Sequence, residues 1–197
     1  MIYNLLQYNI INYDNYKNII ADNLYSRQNL FFNSLSNEFI KYDKIFKDKK
    51  DNLWIGTTRG LYIIDPSGAY QKIDTGFFKT NITAFLYDAT GTLLIGSDKG
   101  LIKFKNNQWT TARDIKGKNL ENITGLVKDA KERVWIGTLN GLFLLDKKSL
   151  IQFDTRNTLL SDEINALEYD NKNNFVWVGT TYGLSSINLS MFDKTPV

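Results

Sequence analysis

The 197-residue chain is 43% hydrophobic and 14% aromatic, enough to bury a sizeable core, and carries a formal net charge of +3 with no Cys and no His. Those two absences exclude disulfides, a Cys nucleophile, a Ser-His-Asp triad, the usual zinc ligand sets and a phosphoacceptor histidine within these residues. Lys and Arg are scattered between carboxylates, which argues against nucleic acid as a partner, and no run approaches the roughly 18 apolar residues that cross a bilayer.

The chain opens on MIYNLLQYNIINYDNYKN, which lacks an early positive charge and breaks its apolar residues with Asn and Gln. No signal peptide is visible in it. Two short segments, 28–35 and 37–41, resemble the third and fourth strands of the later units and close the first 41 residues. From residue 42 onward one pattern recurs. A polar turn opens on Asp48, a strand LWIGT holds Trp54 and Gly56, a second turn closes on Gly60, and further apolar residues and a variable segment, 70–73, complete the unit. The second unit starts with an Ile-led run at 82–87 and repeats the order with Asp88, Gly96, Gly100 and residues 108–111. The third has 123–127, Asp129, Trp135, Gly137, Gly141 and 151–153. The fourth has 164–169, Asp170, Trp177, Gly179 and Gly183.

Both glycines advance by 40, then 41, then 42 residues, so two independent markers share one period. A fixed period of that length marks an array of supersecondary units. Apolar runs bounded by Asp, Asn and Gly read as strands and hairpins, and runs such as Val134-Trp135-Ile136 are apolar without alternation, as strands covered on both faces are. The expectation is therefore all-β. Four antiparallel strands in about 40 residues make a β-propeller blade. The repeats fall at 42–81, 82–122, 123–163 and 164–197, and residues 1–41 align with the strands of a degenerate fifth blade. Four clear blades and a degenerate one leave two arrangements, an open arc of a larger propeller and a small closed ring.

Each marker has a physical role in that setting. The Trp of WIGT fills the gap between neighbouring blades and its indole N–H needs one partner. Gly56 shares the strand face of Trp54, where a side chain would hold the adjacent blade away. The second glycine sits where a short hairpin needs positive φ. Asp48, Asp88, Asp129 and Asp170 would suit a carboxylate mechanism, but they recur once per blade at the same turn, which favours structural Asx turns. The loop from Asp170 to Asn174 lacks the carboxylate spacing and terminal Glu of an EF-hand, so no metal site is expected.

The run from Asp129 to Phe143, DAKERVWIGTLNGLF, resembles the two-component regulator propeller repeat, and residues 157–164, NTLLSDEI, resemble its Leu-rich lead-in to the next blade. The second repeat departs from the pattern with Leu94 for Trp and Ser97 for Thr. The resemblance implies the ligand-sensing, non-catalytic module of a hybrid two-component signalling protein, periplasmic or extracellular, recognising oligosaccharides without a cofactor. Propellers of that family generally have more blades, so the resemblance favours an open arc of a larger propeller over a small closed ring, and further propeller blades or another protomer are the expected partners. A stand-alone propeller scaffold for protein partners is the alternative. For a ligand, the loops joining one blade to the next should share a rim with the Gly-closed turns. Phe77 and Phe78 are candidates to stack on a sugar ring, Arg113, Lys116 and Arg156 to bind hydroxyls or a charged substituent, with Arg59 and Tyr182 in the adjoining turns.

Overall fold

The computed structural model describes residues 42–73, 76, 80–112, 120–146, 149–156 and 158–193. The degenerate blade expected in residues 1–41 lies outside them, as do Phe77, Phe78, Arg113 and Lys116. Two compact units divide the chain after Ile82. In the first, β1 (Tyr42–Lys47), β2 (Leu53–Thr57), β3 (Gly60–Ile64) and β4 (Tyr70–Ile73) pair antiparallel in chain order.

The second unit repeats that meander. One sheet holds β5 (Ile82–Tyr87), β6 (Leu93–Ser97), β7 (Gly100–Lys105) and β8 (Gln108–Ala112), and the next holds β9 (Ile123–Lys128), β10 (Val134–Thr138), β11 (Gly141–Asp146) and β12 (Ser149–Phe153). The last has three strands, β13 (Ile164–Asp170), β14 (Phe175–Thr180) and β15 (Gly183–Asn188), after which the chain turns into a short helix, α1 (Leu189–Phe192). Strands β6 and β10 are buried at every position, as expected of segments covered on both faces, whereas the outer strand β8 is mostly exposed.

Within the second unit, successive sheets stack through one recurring contact. A Cβ added to Gly96 would lie 2.6 Å from Cγ2 of Ile123, and one on Gly137 would lie 2.9 Å from Cγ2 of Ile164. The Ile that leads each of the last two repeats thus enters the notch left by the glycine before it, which is why that glycine recurs. A hydrogen bond spans the same junction, Thr83 Oγ1 donating to the Ile123 carbonyl at 2.6 Å. Trp135, fully buried, fills the remaining gap among Leu142, Leu144, Phe153, Ile164, Val176 and Ile187. Leu94 takes that place in the second repeat, among Leu101, Leu120, Ile123, Val134 and Ile136. Trp177 departs from the expectation: it is 37% exposed, because no described strand covers its face.

The hairpin between the second and third strands is closed by a device that recurs in all four repeats. The Thr of WIGT, or Ser97, donates its hydroxyl to the carbonyl of the second glycine at 2.8 to 2.9 Å. In the first three it also accepts the N–H two residues on. The Ser97 departure therefore keeps the one group the hairpin uses. At Gly141 the backbone lies at φ +116°, and a Cβ would meet the Phe153 carbonyl at 2.8 Å. Gly141→Ala is expected to destabilise by on the order of 1 kcal/mol or more, since strain and collision add. A denaturation midpoint unchanged from the parent would contradict this reading of the hairpin.

Candidate ligand-binding rim

Hydrogen bonds tie the Gly-closed turns to the loops that lead into the next blade. Asn122 N donates to the Asp98 carbonyl at 2.8 Å, Leu139 N to the Asn122 carbonyl at 3.2 Å, Gly141 N to the Asp162 carbonyl at 2.7 Å and Thr181 N to the Glu163 carbonyl at 3.1 Å. The two kinds of loop therefore form one rim, and the second unit presents it from residue 98 to residue 183.

The best-described part of this rim is the loop from Asp154 to Glu163. Leu159 and Ser161 are buried and anchor it, Thr155 N donates to Asp162 Oδ1 at 2.7 Å, and Leu160 N donates to Ser185 Oγ at 3.1 Å. Asp154 is buried at its start and accepts from Arg156 N at 2.9 Å. The Arg156 guanidinium closes on the same carboxylate through Nε and Nη2, yet the side chain remains 84% exposed. That pairing, chiefly through the guanidinium hydrogen bonds, holds the Asp154 carboxyl below its ordinary range. Arg156 is thus oriented by one edge and offers its remaining donors to solvent. Tyr182 stands 79% exposed at the tip of the last turn, beside Thr181, whose hydroxyl donates to Glu163 Oε2 at 2.8 Å. Leu160, 56% exposed, adds apolar surface.

The rim of the second unit therefore carries Arg156 and Tyr182, while Arg59 lies in the equivalent turn of the first unit and is described with that unit alone. Residues that sequence reasoning did not single out are Leu160, Glu163 and Thr181. The signal for them was present, since all three lie in the joining loop or the adjoining turn.

The once-per-blade aspartates have another use. Asp48 Oδ1 accepts from Lys50 N and Asn52 N, Asp88 Oδ1 from Thr90 N and Thr92 N, and Asp129 Oδ1 from Lys131 N and Arg133 N. In the first and third repeats the second oxygen takes the indole: Trp54 Nε1 donates to Asp48 Oδ2 at 2.8 Å and Trp135 Nε1 to Asp129 Oδ2 at 2.9 Å. Asp170 sits in a turn one residue longer, where Asn173 provides both a backbone and a side-chain donor, and Trp177 bonds it as well. These carboxylates are committed to turns.

Burial pushes the Asp48 and Asp88 carboxyls up, but the donors around them outweigh it and hold both below the ordinary 3.8; Asn173 does most to lower Asp170. A carboxyl whose folded value lies below its unfolded value stabilises the fold above the unfolded value and loses that contribution as pH falls through the folded one. Thermal stability is accordingly expected to hold from neutrality down to about pH 4 and to drop below it. A melting temperature that rose on acidification below pH 4 would contradict the turn assignment.

A family model described as two component regulator propeller matches residues 34–59, a span that takes in β1, the Asp48 turn, Trp54 and Gly56. The chain carries the two component regulator propeller repeat. Among solved structures, the blades resemble extracellular domains of two hybrid two component systems from B. thetaiotaomicron. One has a TM-score of 0.69 at 23% identity, over 79% of this chain and 23% of that one. The other has a TM-score of 0.61 at 23% identity, over 74% and 21%. PorZ, a surface component of the type-IX secretion system of Porphyromonas gingivalis, has a TM-score of 0.58 at 18% identity, over 75% and 26%. At these identities the likeness shows the propeller fold. The chain spans about a fifth to a quarter of the length of these relatives. No curated protein matches it.

Proposed function

We propose that these propeller repeats belong to the ligand-sensing, extracytoplasmic part of a longer hybrid two-component signalling protein, and that their rim binds an oligosaccharide without catalysis. The observation that supports this reading most is the rim loop at Asp154 to Glu163. It holds a largely exposed Arg156 paired to Asp154, with exposed apolar Leu160 in the same loop, in a chain that carries the repeat named for two component regulators. A guanidinium oriented by Asp154 offers its remaining donors to sugar hydroxyls or an acidic substituent, and Tyr182 offers an aromatic face with a polar tip. Phe77, Phe78, Arg113 and Lys116, which belong to the other joining loops of the sequence and lie outside the described residues, remain candidates, as does Arg59 in the equivalent turn of the first unit.

The once-per-blade carboxylates are engaged in turns and the sequence holds no His or Cys, which favours recognition over catalysis for these residues. Signalling then requires that the sugar favour one arrangement of the receptor over another, since a ligand shifts such an equilibrium only by its difference in affinity for the two states. The test is saturable binding to an oligosaccharide array, followed by titration calorimetry on the parent and on a Phe77→Ala, Phe78→Ala, Arg156→Ala variant. Binding weakened tenfold or more in the variant is the expected result. Unchanged binding would remove this rim as the site, and recovery of a protein partner with no sugar binding would favour the scaffold role.

A further inference from the structure

The face of the last sheet repeats, position for position, a face that is covered elsewhere in the second unit. In the third repeat Trp135 pairs across to Leu144 and Val127, and Gly137 to Leu142 and Gly125. In the fourth, Trp177 pairs to Ser186 and Glu168, and Gly179 to Leu184 and Ala166. The first set is sealed under the next sheet, with Trp135 and Leu142 fully buried. The second set is open, with Trp177 at 37% and Leu184 at 61% exposure.

The glycine makes the comparison specific. At Gly96 and Gly137 the space where a Cβ would stand is taken by Cγ2 of the next repeat's leading Ile, whereas a Cβ on Gly179 would meet only its neighbour Ala166, at an ordinary 3.4 Å. Gly179 has a backbone that needs no glycine, because it is not among the positive-φ residues. It keeps a notch that nothing described fills.

We propose that the Trp177–Gly179–Leu184 face is a docking surface for the inner strand of a further propeller blade of the same repeat type in the same polypeptide, which seats a β-branched side chain in the Gly179 notch. This rests on the reading of the chain as part of a longer protein, and it adds the site and chemistry of the junction. The relatives, four to five times longer than the stretch they share with this chain, are consistent with such an occupant. The junction also differs from its predecessor in one respect. Glu168 and Ser186 stand where Val127 and Leu144 stood, so the incoming blade must present a cation or a hydrogen-bond donor opposite Glu168 to avoid stranding its carboxylate.

Hydroxyl-radical footprinting, read at single tryptophans on the native protein and on a Gly179→Val variant, tests this. Trp177 is expected to oxidise within about twofold of Trp135, and Gly179→Val is expected to raise Trp177 oxidation at least fivefold while leaving Trp135 unchanged. A photo-crosslinking residue in place of Glu168 should then capture a strand of the same polypeptide that is followed by a WIGT-like segment. Trp177 oxidising tenfold faster than Trp135 in the native protein would overturn the proposal. So would capture of a second copy of the chain, of residues 1–41, or of an unrelated protein. None of these readouts depends on sugar binding, so failure here and failure of the sensor reading are distinguishable.

Discussion

Trp135→Ala is expected to destabilise the second unit by about 3–5 kcal/mol, read as a lower denaturation midpoint in guanidinium. The indole is fully buried and touches the last sheet, the outer strand of its own sheet and α1 at once. Its ring lies 5.6 Å from that of Phe153 and 6.0 Å from that of Phe192, and it packs on Ile164 and Val176. Neighbours held by two hydrogen-bonded sheets cannot collapse into the space, so the lost transfer energy and the cavity add. Trp177→Ala is the control, because a ring 37% exposed in the 197-residue chain loses less burial and leaves no closed cavity. Equal losses for the two substitutions would refute the packing argument.

Asp129→Ala is expected to cost a similar amount, about 3–5 kcal/mol, for a different reason. Asp129 is 2% exposed and accepts from Lys131 N, Arg133 N, Arg133 Nε at 2.7 Å and Trp135 Nε1. Its removal unties the turn, strands the indole N–H and leaves the buried Arg133 guanidinium facing a single carboxylate, Asp193, at 2.6 Å. Burial works against the charge of Arg133, yet Asp129 and Asp193 together hold its pKa above the ordinary value. Most of the penalty should therefore come from a buried charge that has lost one of its two carboxylates. The double variant Asp129→Ala, Arg133→Met should recover a large part of the loss. Asp88→Ala, in the repeat with neither Trp nor Arg at those positions, should cost closer to about 1 kcal/mol. A double variant as unstable as the single one would show that the turn, rather than the charge, dominates.

The contrast between these two residues shows what was legible in the sequence. The period, the strand order, the hairpin glycines and the gap-filling Trp follow from patterns that repeat, and repetition averages away the accidents of any one blade. The Asp-to-indole bond was visible in principle, since Asp and Trp lie six residues apart in the first and third repeats. Asp88 kept without a Trp concealed it, by showing that the aspartate serves the turn alone as well. Arg133 with Asp193 could not be read at all, because the partners are 60 residues apart and neither recurs. For the rim, the pairing of joining loops with Gly-closed turns followed from connectivity. The seating of Arg156 on Asp154, which decides how its donors point, is a local contact that spacing does not specify.

Helix α1 has a mechanical consequence. Leaving β15, the chain places Leu189 in the core, Phe192 beneath the Arg133 guanidinium, and Asp193 against Arg133 and Lys131 of the preceding sheet's turn. Tension applied past Asp193 is therefore delivered first to that clamp, on the neighbouring blade, and only afterwards to the ladder between β14 and β15. The last two blades should yield together under load, so that whatever pulls on this end of the segment acts on both.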